Sequence, residues 1–263
     1  MNCPTWPGLG NDLAESSLVP PLGTRQAPDS EPVSVMVSTA PDLKTIRSEK
    51  GAVSSAPFFN SDLFRMTADQ GEICIAGPYI GAPYAAMLLE SLIAKGSRKV
   101  VVLGWCGALD TALDPGDIVV ADSALVHEGT SQNYKDFEEF PWRSDPSVTL
   151  TQELVDFIQF RFSGIKTATV WTTDAIYRET RSKALYFRDH GATVVDMECS
   201  ALFSVAAYHG VEIAAVLTVS DVLILDGDTP VGWEPGFRKS AFRENRKKAC
   251  HLAIDFAKEI STS

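Results

Sequence analysis

Ile73-Cys74-Ile75-Ala76-Gly77, then residues 83–94, then Lys99-Val100-Val101-Val102-Leu103-Gly104: these three pieces in succession decide the fold class. The outer two are short apolar runs closed by glycine, which read as buried strands. The middle piece sets Ala86, Leu89 and Ile93 on one face at helical spacing, with Pro83 where a first turn tolerates it. Strand, helix and strand in this order make a crossover unit whose strands run parallel. Upstream, Val33-Ser34-Val35-Met36-Val37 is a β-branched run, and Pro41-Asp42-Leu43-Lys44 has the form of a helix start. Downstream, strands are predicted at 117–121, 166–172 and 211–220, and helices at 151–162, 180–189, 198–209 and 239–258. Such alternation predicts an α/β protein with an open, largely parallel sheet covered on both faces. Its ligand then belongs beyond the carboxyl ends of the strands.

Composition narrows the rest. The 263 residues carry a net charge of -11 and no basic stripe, which argues against nucleic acid as a partner. No apolar run reaches the ~20 residues of a membrane span, and the first residues lack the pattern of a signal peptide. A soluble, cytoplasmic protein with no membrane partner is expected. Cys3, Cys74, Cys106, Cys199 and Cys250 are scattered without CxxC spacing, so neither a disulfide framework nor a metal site is expected. Residues 1–32 hold Pro4, Pro7, Pro20, Pro21, Pro28 and Pro32 without a sustained period and read as a poorly ordered arm. Residues 33–263 read as a single domain.

Three glycine-bearing turns are expected at strand ends: 77–83, Gly104-Trp105-Cys106-Gly107 and Glu128-Gly129-Thr130-Ser131. Glycine lets backbone N–H groups converge on an anion, although a plain tight turn explains each one alone. The stronger signal is Val194-Val195-Asp196-Met197-Glu198-Cys199, followed one helix later by Thr218-Val219-Ser220-Asp221. Glu198 then begins a helix, where an acid is favourable in any case, and Asp221 ends an apolar strand, where a turn aspartate is equally ordinary.

Together, Gly81-Ala82-Pro83, Gly104-Trp105-Cys106-Gly107-Ala108-Leu109, Pro115-Gly116-Asp117-Ile118-Val119, Asp196-Met197-Glu198 and Ser220-Asp221 resemble the nucleoside phosphorylase family, which includes purine nucleoside phosphorylases, uridine phosphorylases and nucleosidases. The resemblance spans about residues 33–258. It implies a three-layer α/β/α sandwich with a mixed, mainly parallel central sheet, of phosphorylase/hydrolase-like type. It further implies that Met197 packs on a ribose, that Glu198 accepts hydrogen bonds from its hydroxyls, and that Asp221 is the general acid that protonates a departing purine. Residues 171–177 resemble the family's base-binding segment, so Tyr177 and Ile176 would flank the base with Val195 below. No cofactor or metal is implied; phosphate is the co-substrate, a small-molecule nucleoside is the partner, and a homo-oligomer is expected.

The departures lie where that family binds phosphate. Arginines are missing from the early loop, which reads Ser38-Thr39-Ala40-Pro41, and from the positions before Gly104, and Trp105 stands where a small hydroxyl residue is usual. The anion site is left with Gly104, Trp105, Thr130 and Ser131, and Asp42 is the loose counterpart of the glutamate that activates water in hydrolytic members. The expected function is cleavage of a nucleoside N-glycosidic bond, purine favoured, with phosphate as acceptor. A hydrolase on the same scaffold, or a nucleoside-binding protein without catalysis, are the alternatives.

Overall fold

The computed structural model describes residues 12–21, 31–48, 52–68, 71–225 and 232–261; most of the expected arm lies outside them. The crossover unit is present as β4 (Gly71–Gly77), α2 (Ala82–Ala94) and β5 (Lys99–Ala108). Between β4 and β5 lies β1 (Val33–Val37), parallel to both and buried at every residue. Burial on both faces is why β1 reads as a continuous apolar run and not as an alternation. Helix α1 (Ala40–Arg47) follows it, with the Thr39 side chain accepting from the Asp42 N–H and proline in the first turn.

The remaining elements are β2 (Ala52–Phe58), β3 (Ser61–Ala68), β6 (Ile118–His127), β7 (Arg143–Ser144), α3 (Val148–Arg161), β8 (Lys166–Thr173), α4 (Arg181–Asp189), β9 (Val194–Asp196), α5 (Cys199–His209), β10 (Glu212–Leu223), β11 (Trp233–Pro235) and α6 (Ser240–Ile260). One buried layer lies between the sheet and α2 with α5, including Leu88, Leu92, Leu202 and Val205. A second lies between the opposite face and α1, α3 and α6, including Ile46, Leu154, Ile254 and Phe256. The α/β/α layering is therefore as expected, and the sheet is mixed.

The sheet is not open. Strand β5 is parallel to β10 and antiparallel to β9; β9 runs parallel to β8, β8 to β6, and β6 closes the circuit antiparallel to β10. Five strands thus form a small barrel, with β1, β4, β3 and β2 extending it as a wing. The seam between β5 and β9 consists of Gly107 opposite Val195 and Ala108 opposite Val194, too short a stretch to leave a periodic pattern in sequence.

Three local expectations are corrected. Gly104-Trp105-Cys106-Gly107 is strand and not turn, because β5 continues through it while paired with β10 as far as Ala108. Asp221 does not end its strand: β10 bulges between Val219 and Asp221 and continues to Leu223, where β11 supplies new partners. Glu198 is the residue before α5 and not its first turn, with φ -140° and ψ -35°.

Candidate active site

The start of α5 is fixed by carboxylates that the sequence reading passed over. Asp196 ends β9 and accepts from the Cys199 N–H at 2.8 Å and from the Thr172 hydroxyl at 2.6 Å. Thr172 in turn accepts from the Ser200 N–H at 3.0 Å, and the Ser200 hydroxyl donates to Glu128 at 2.9 Å. The ends of β6, β8 and β9 are thereby tied to the first turn of α5. Asp196, not Glu198, satisfies the helix N–H groups that lack intrahelical partners.

Glu198 is free to face the other way. Its Oε1 accepts from the Gly81 N–H at 2.6 Å and its Oε2 from the Met197 N–H at 3.3 Å. Gly81 sits at φ 79°, a left-handed conformation that a side chain would strain, and this turns its N–H toward the carboxylate. Burial, reinforced by the charge of Asp196, pushes the Glu198 pKa up to about 8, against the lowering effect of the two N–H donors. Burial also raises the pKa of Asp196, partly offset by its hydrogen bonds. The thiols of Cys106 and Cys199 are raised by burial and then by Asp196, so they stay protonated and are not nucleophiles at neutral pH.

Gly107 brings the second half of the site together. A Cβ there would lie 3.1 Å from Asp221 Oδ2, 3.1 Å from Val195 Cγ1 and 3.2 Å from Leu223 Cδ1. Asp221 and Val195 therefore both border a residue with no side chain, near the carboxyl ends of β10 and β9. Asp221 is half-buried; the Ser220 hydroxyl donates to one carboxylate oxygen and the Trp233 indole N–H to the other, at 2.8 Å. Met197 is half-buried beside Glu198. Ile176 and Tyr177 follow β8 in a short 3-10 turn and stand 52% and 97% exposed, so a single chain does not enclose them with the buried Val195.

The four residues expected to hold an anion are not brought together around a common free space. The Trp105 side chain leaves β5 toward α1 and α6, donates from Nε1 to Asp42 Oδ2 at 2.6 Å, and packs edge-on to Phe242 with ring centroids 5.0 Å apart. Asp42 is 1% exposed and accepts at Oδ1 from Arg246 at 2.6 Å. The N–H groups of Thr130 and Ser131 and the Ser131 hydroxyl converge as expected, but on the buried carboxylate of Glu128. Both donor clusters thus hold an anion that belongs to the chain itself. Gly104 lies over Ser38 and Leu217, with its virtual Cβ 3.1 Å from each.

Sequence signals for the missed residues were weak for identifiable reasons. Arg246 belongs to the run Arg243-Glu244-Asn245-Arg246-Lys247-Lys248, which reads as a solvated helix face. Glu128 precedes a glycine turn, and nothing local shows that the turn wraps that same residue. Among the described residues no group of three His, Cys, Asp or Glu side chains is arranged to hold a metal, and no helix is long and apolar enough to cross a membrane.

Comparison with known proteins agrees with this fold. A protein 30% identical over 187 residues, covering 71% of this chain and 76% of its own length, is the guanosine phosphorylase of Halorubrum lacusprofundi. Among solved structures, purine nucleoside phosphorylase from Toxoplasma gondii in complex with immucillin-H superposes with a TM-score of 0.74 at 19% identity, covering 89% of this chain and 93% of that one. Uridine phosphorylase from Vibrio fischeri ES114 gives 0.72 at 23% identity, with the same coverage of 89% and 93%. The family model described as "Phosphorylase superfamily" matches residues 32–259, and this chain belongs to that superfamily.

Proposed function

We propose that this protein cleaves the N-glycosidic bond of a purine nucleoside. Glu198 takes the ribose hydroxyls, with Met197 against the sugar, and Asp221 delivers a proton to the departing base beside Val195. The reading is carried by one observation: Asp221 and Val195 both border Gly107, and Val195 stands three residues before Glu198 in the chain. Base-side acid and sugar-side acceptor thus flank the same strand end. As the C1′–N bond breaks, its electron pair goes to the purine, which gains the Asp221 proton, while Glu198, whose ionised form is favoured once ribose hydroxyls donate to it, counters positive charge growing on the sugar. Ile176 and Tyr177 bound the base once a second copy of the chain covers them, in keeping with a homo-oligomer. Residues 33–263 act as one catalytic domain, and the preceding segment is an arm.

Phosphate is the acceptor suggested by the guanosine phosphorylase likeness. A specific observation favours water as a second reading: Trp105, Thr130 and Ser131 already donate to Asp42 and Glu128, and Arg246 is paired with Asp42. An incoming phosphate would have to displace a carboxylate from charge-assisted bonds. Assaying inosine, guanosine, adenosine and uridine with and without phosphate separates the readings. Phosphate-dependent formation of ribose 1-phosphate selects the first and phosphate-independent release of ribose the second. Asp221→Asn should lower purine release by about 10²–10⁴-fold. Purine release within a few-fold of the unaltered protein would remove Asp221 from the reaction, and cleavage of uridine alone would reject the purine assignment.

A further inference from the structure

Past its bulge β10 acquires a new neighbour that is pinned at both ends. Strand β11 pairs antiparallel with it, placing Trp233 opposite Leu223 and Pro235 opposite Asp221. Beyond that pairing the Ile224 N–H donates to the Gly232 carbonyl at 2.8 Å, and the Gly236 N–H donates to the Ser220 carbonyl at 2.8 Å. Only glycine fits at 236, where a Cβ would meet the Ser220 oxygen at 2.6 Å and Pro115 Cβ at 2.2 Å. Burial does not account for β11, because all three of its residues are exposed. What the strand does present is one side chain. Asp221 and Leu223 share a face of β10, so Trp233, opposite Leu223, is the diagonal neighbour of Asp221 on that face, within reach of a long side chain. Its Nε1 donates to Asp221 Oδ2 at 2.8 Å.

The two donors on Asp221 differ in kind. The Ser220 hydroxyl has a single proton to give and two acceptors in reach, Asp221 Oδ1 at 2.5 Å and the Cys106 carbonyl at 3.2 Å. It can therefore leave the carboxylate without losing a partner, and as a hydroxyl it can also accept. The Trp233 indole can only donate, and among the described residues its N–H has Oδ2 as its one acceptor. When Asp221 carries a proton, the oxygen facing that N–H has to remain the acceptor, since a carboxylic hydroxyl turned toward a donor forfeits the bond. The proton then belongs on Oδ1, the oxygen that Ser220 is able to release.

We propose that Trp233 is a positioning residue for the cleavage reaction, whose N–H keeps Asp221 Oδ2 as the acceptor and so confines the transferable proton to Oδ1. This rests on the reading of Asp221 as the base-side acid and adds the group that orients it. While Oδ1 is protonated, the Ser220 hydroxyl donates to the Cys106 carbonyl. As the C1′–N bond breaks, its electron pair goes to the base, the Oδ1 proton passes to a ring nitrogen, and the Ser220 hydroxyl turns back to the new carboxylate. Trp233 neither gives nor takes a proton in this cycle. Two donors on Asp221 correspond to its deprotonated end, and the half-buried acid regains its proton from water. A fixed donor on one oxygen removes the alternative in which the proton sits on the wrong side of the carboxyl group, which is how orientation contributes to rate.

The test is a double-mutant cycle with Trp233→Phe, Asp221→Asn and the two combined, assayed with phosphate present on whichever of inosine, guanosine and adenosine is cleaved fastest. Trp233→Phe should lower kcat about tenfold and change KM by less than about twofold, as expected for a bond that matters in the chemical step. In the Asp221→Asn background, where no transferable proton is left to orient, the same substitution should change the residual kcat by less than about twofold. An equal loss in both backgrounds would mean that Trp233 acts through the fold or by touching the substrate, and overturns the proposal. So does an unchanged kcat, or a loss confined to KM. If Trp233→Phe fails to fold, the same cycle is run with 3-benzothienylalanine at position 233, which keeps both rings and lacks the N–H. Should the unaltered protein cleave no purine nucleoside, or Asp221→Asn release purine within a few-fold of it, the acid reading falls and takes this proposal with it. If Asp221→Asn is impaired and the variants at 233 are not, only this proposal falls.

Discussion

Two carboxylates belong to helix starts on opposite faces of the sheet, Asp42 in α1 and Glu198 before α5, and the protein treats them in opposite ways. Asp42, under Trp105, is paired with a guanidinium and an indole N–H and is 1% exposed. Glu198, beside Gly81, has only neutral backbone donors, an acidic neighbour in Asp196 and a pKa pushed up to about 8. A satisfied buried ion pair is a fixed part of the interior, whereas a carboxylate held at the cost of its own ionisation gains from any further donor. The difference is one of satisfaction: Asp42 is committed to its partners, and Glu198, as the proposed ribose acceptor, would gain from the hydroxyls of a ligand.

The largest effect that can break this contrast is on the Asp42 side. Arg246→Met leaves a buried carboxylate without its cation and should destabilise the fold by about 3–5 kcal/mol. Adding Asp42→Asn to the same chain should restore much of that loss, and urea denaturation of both variants measures it. A loss under about 1 kcal/mol would place the pair with ordinary surface ion pairs.

Glu198→Gln should do the reverse, sparing the fold and lowering nucleoside cleavage by about 10–100-fold through the loss of a charged acceptor. Its stability should also respond to pH in a defined direction. With a folded pKa of about 8 against 4.5 for an ordinary glutamate, the folded chain binds the extra proton between those values. Stability of the unaltered protein therefore falls as pH rises through that window, and Glu198→Gln removes this contribution. The two proteins should match most closely near pH 5, and the variant should gain relative to its parent by pH 8. Parallel stability curves would show that Glu198 is not strained by its surroundings.

The smallest expected effect belongs to Trp105. Trp105→Phe keeps the aromatic packing on Phe242 and removes the N–H donor to Asp42. A cost of about 1–2 kcal/mol in stability is expected, because Asp42 retains Arg246. If the same variant acquires saturable dependence on phosphate, the Asp42 corner is a displaced anion site after all, and the contrast with Glu198 sharpens into one between two ligand pockets.

Much of the architecture could be read from periodicity. Val33–Val37 and the strands around Ile75 and Val101 are buried on both faces, and such segments announce themselves as apolar runs. The helix faces did the same, and the predicted helix at 198–209 lies one residue from the observed α5. Ala52–Phe58 and Ser61–Ala68 left no such trace, because polar residues such as Ser55, Asp62, Arg65 and Thr67 interrupt an antiparallel wing at the sheet's edge. Val194–Asp196 is too short for any period, although the barrel closes on it.

By itself the sequence determined the alternation of strands and helices and the α/β layering, because burial period is a local property of the chain, while Glu198 and Asp221 entered as candidates through the family resemblance. Tertiary structure alone decided that the sheet closes into a barrel, that Asp196 and not Glu198 caps α5, that Asp42 meets Arg246 and that Glu128 fills the turn of Thr130 and Ser131. Each of these depends on which distant segment supplies the partner. A hydrogen-bond donor 204 positions away leaves no mark on the residues around its acceptor.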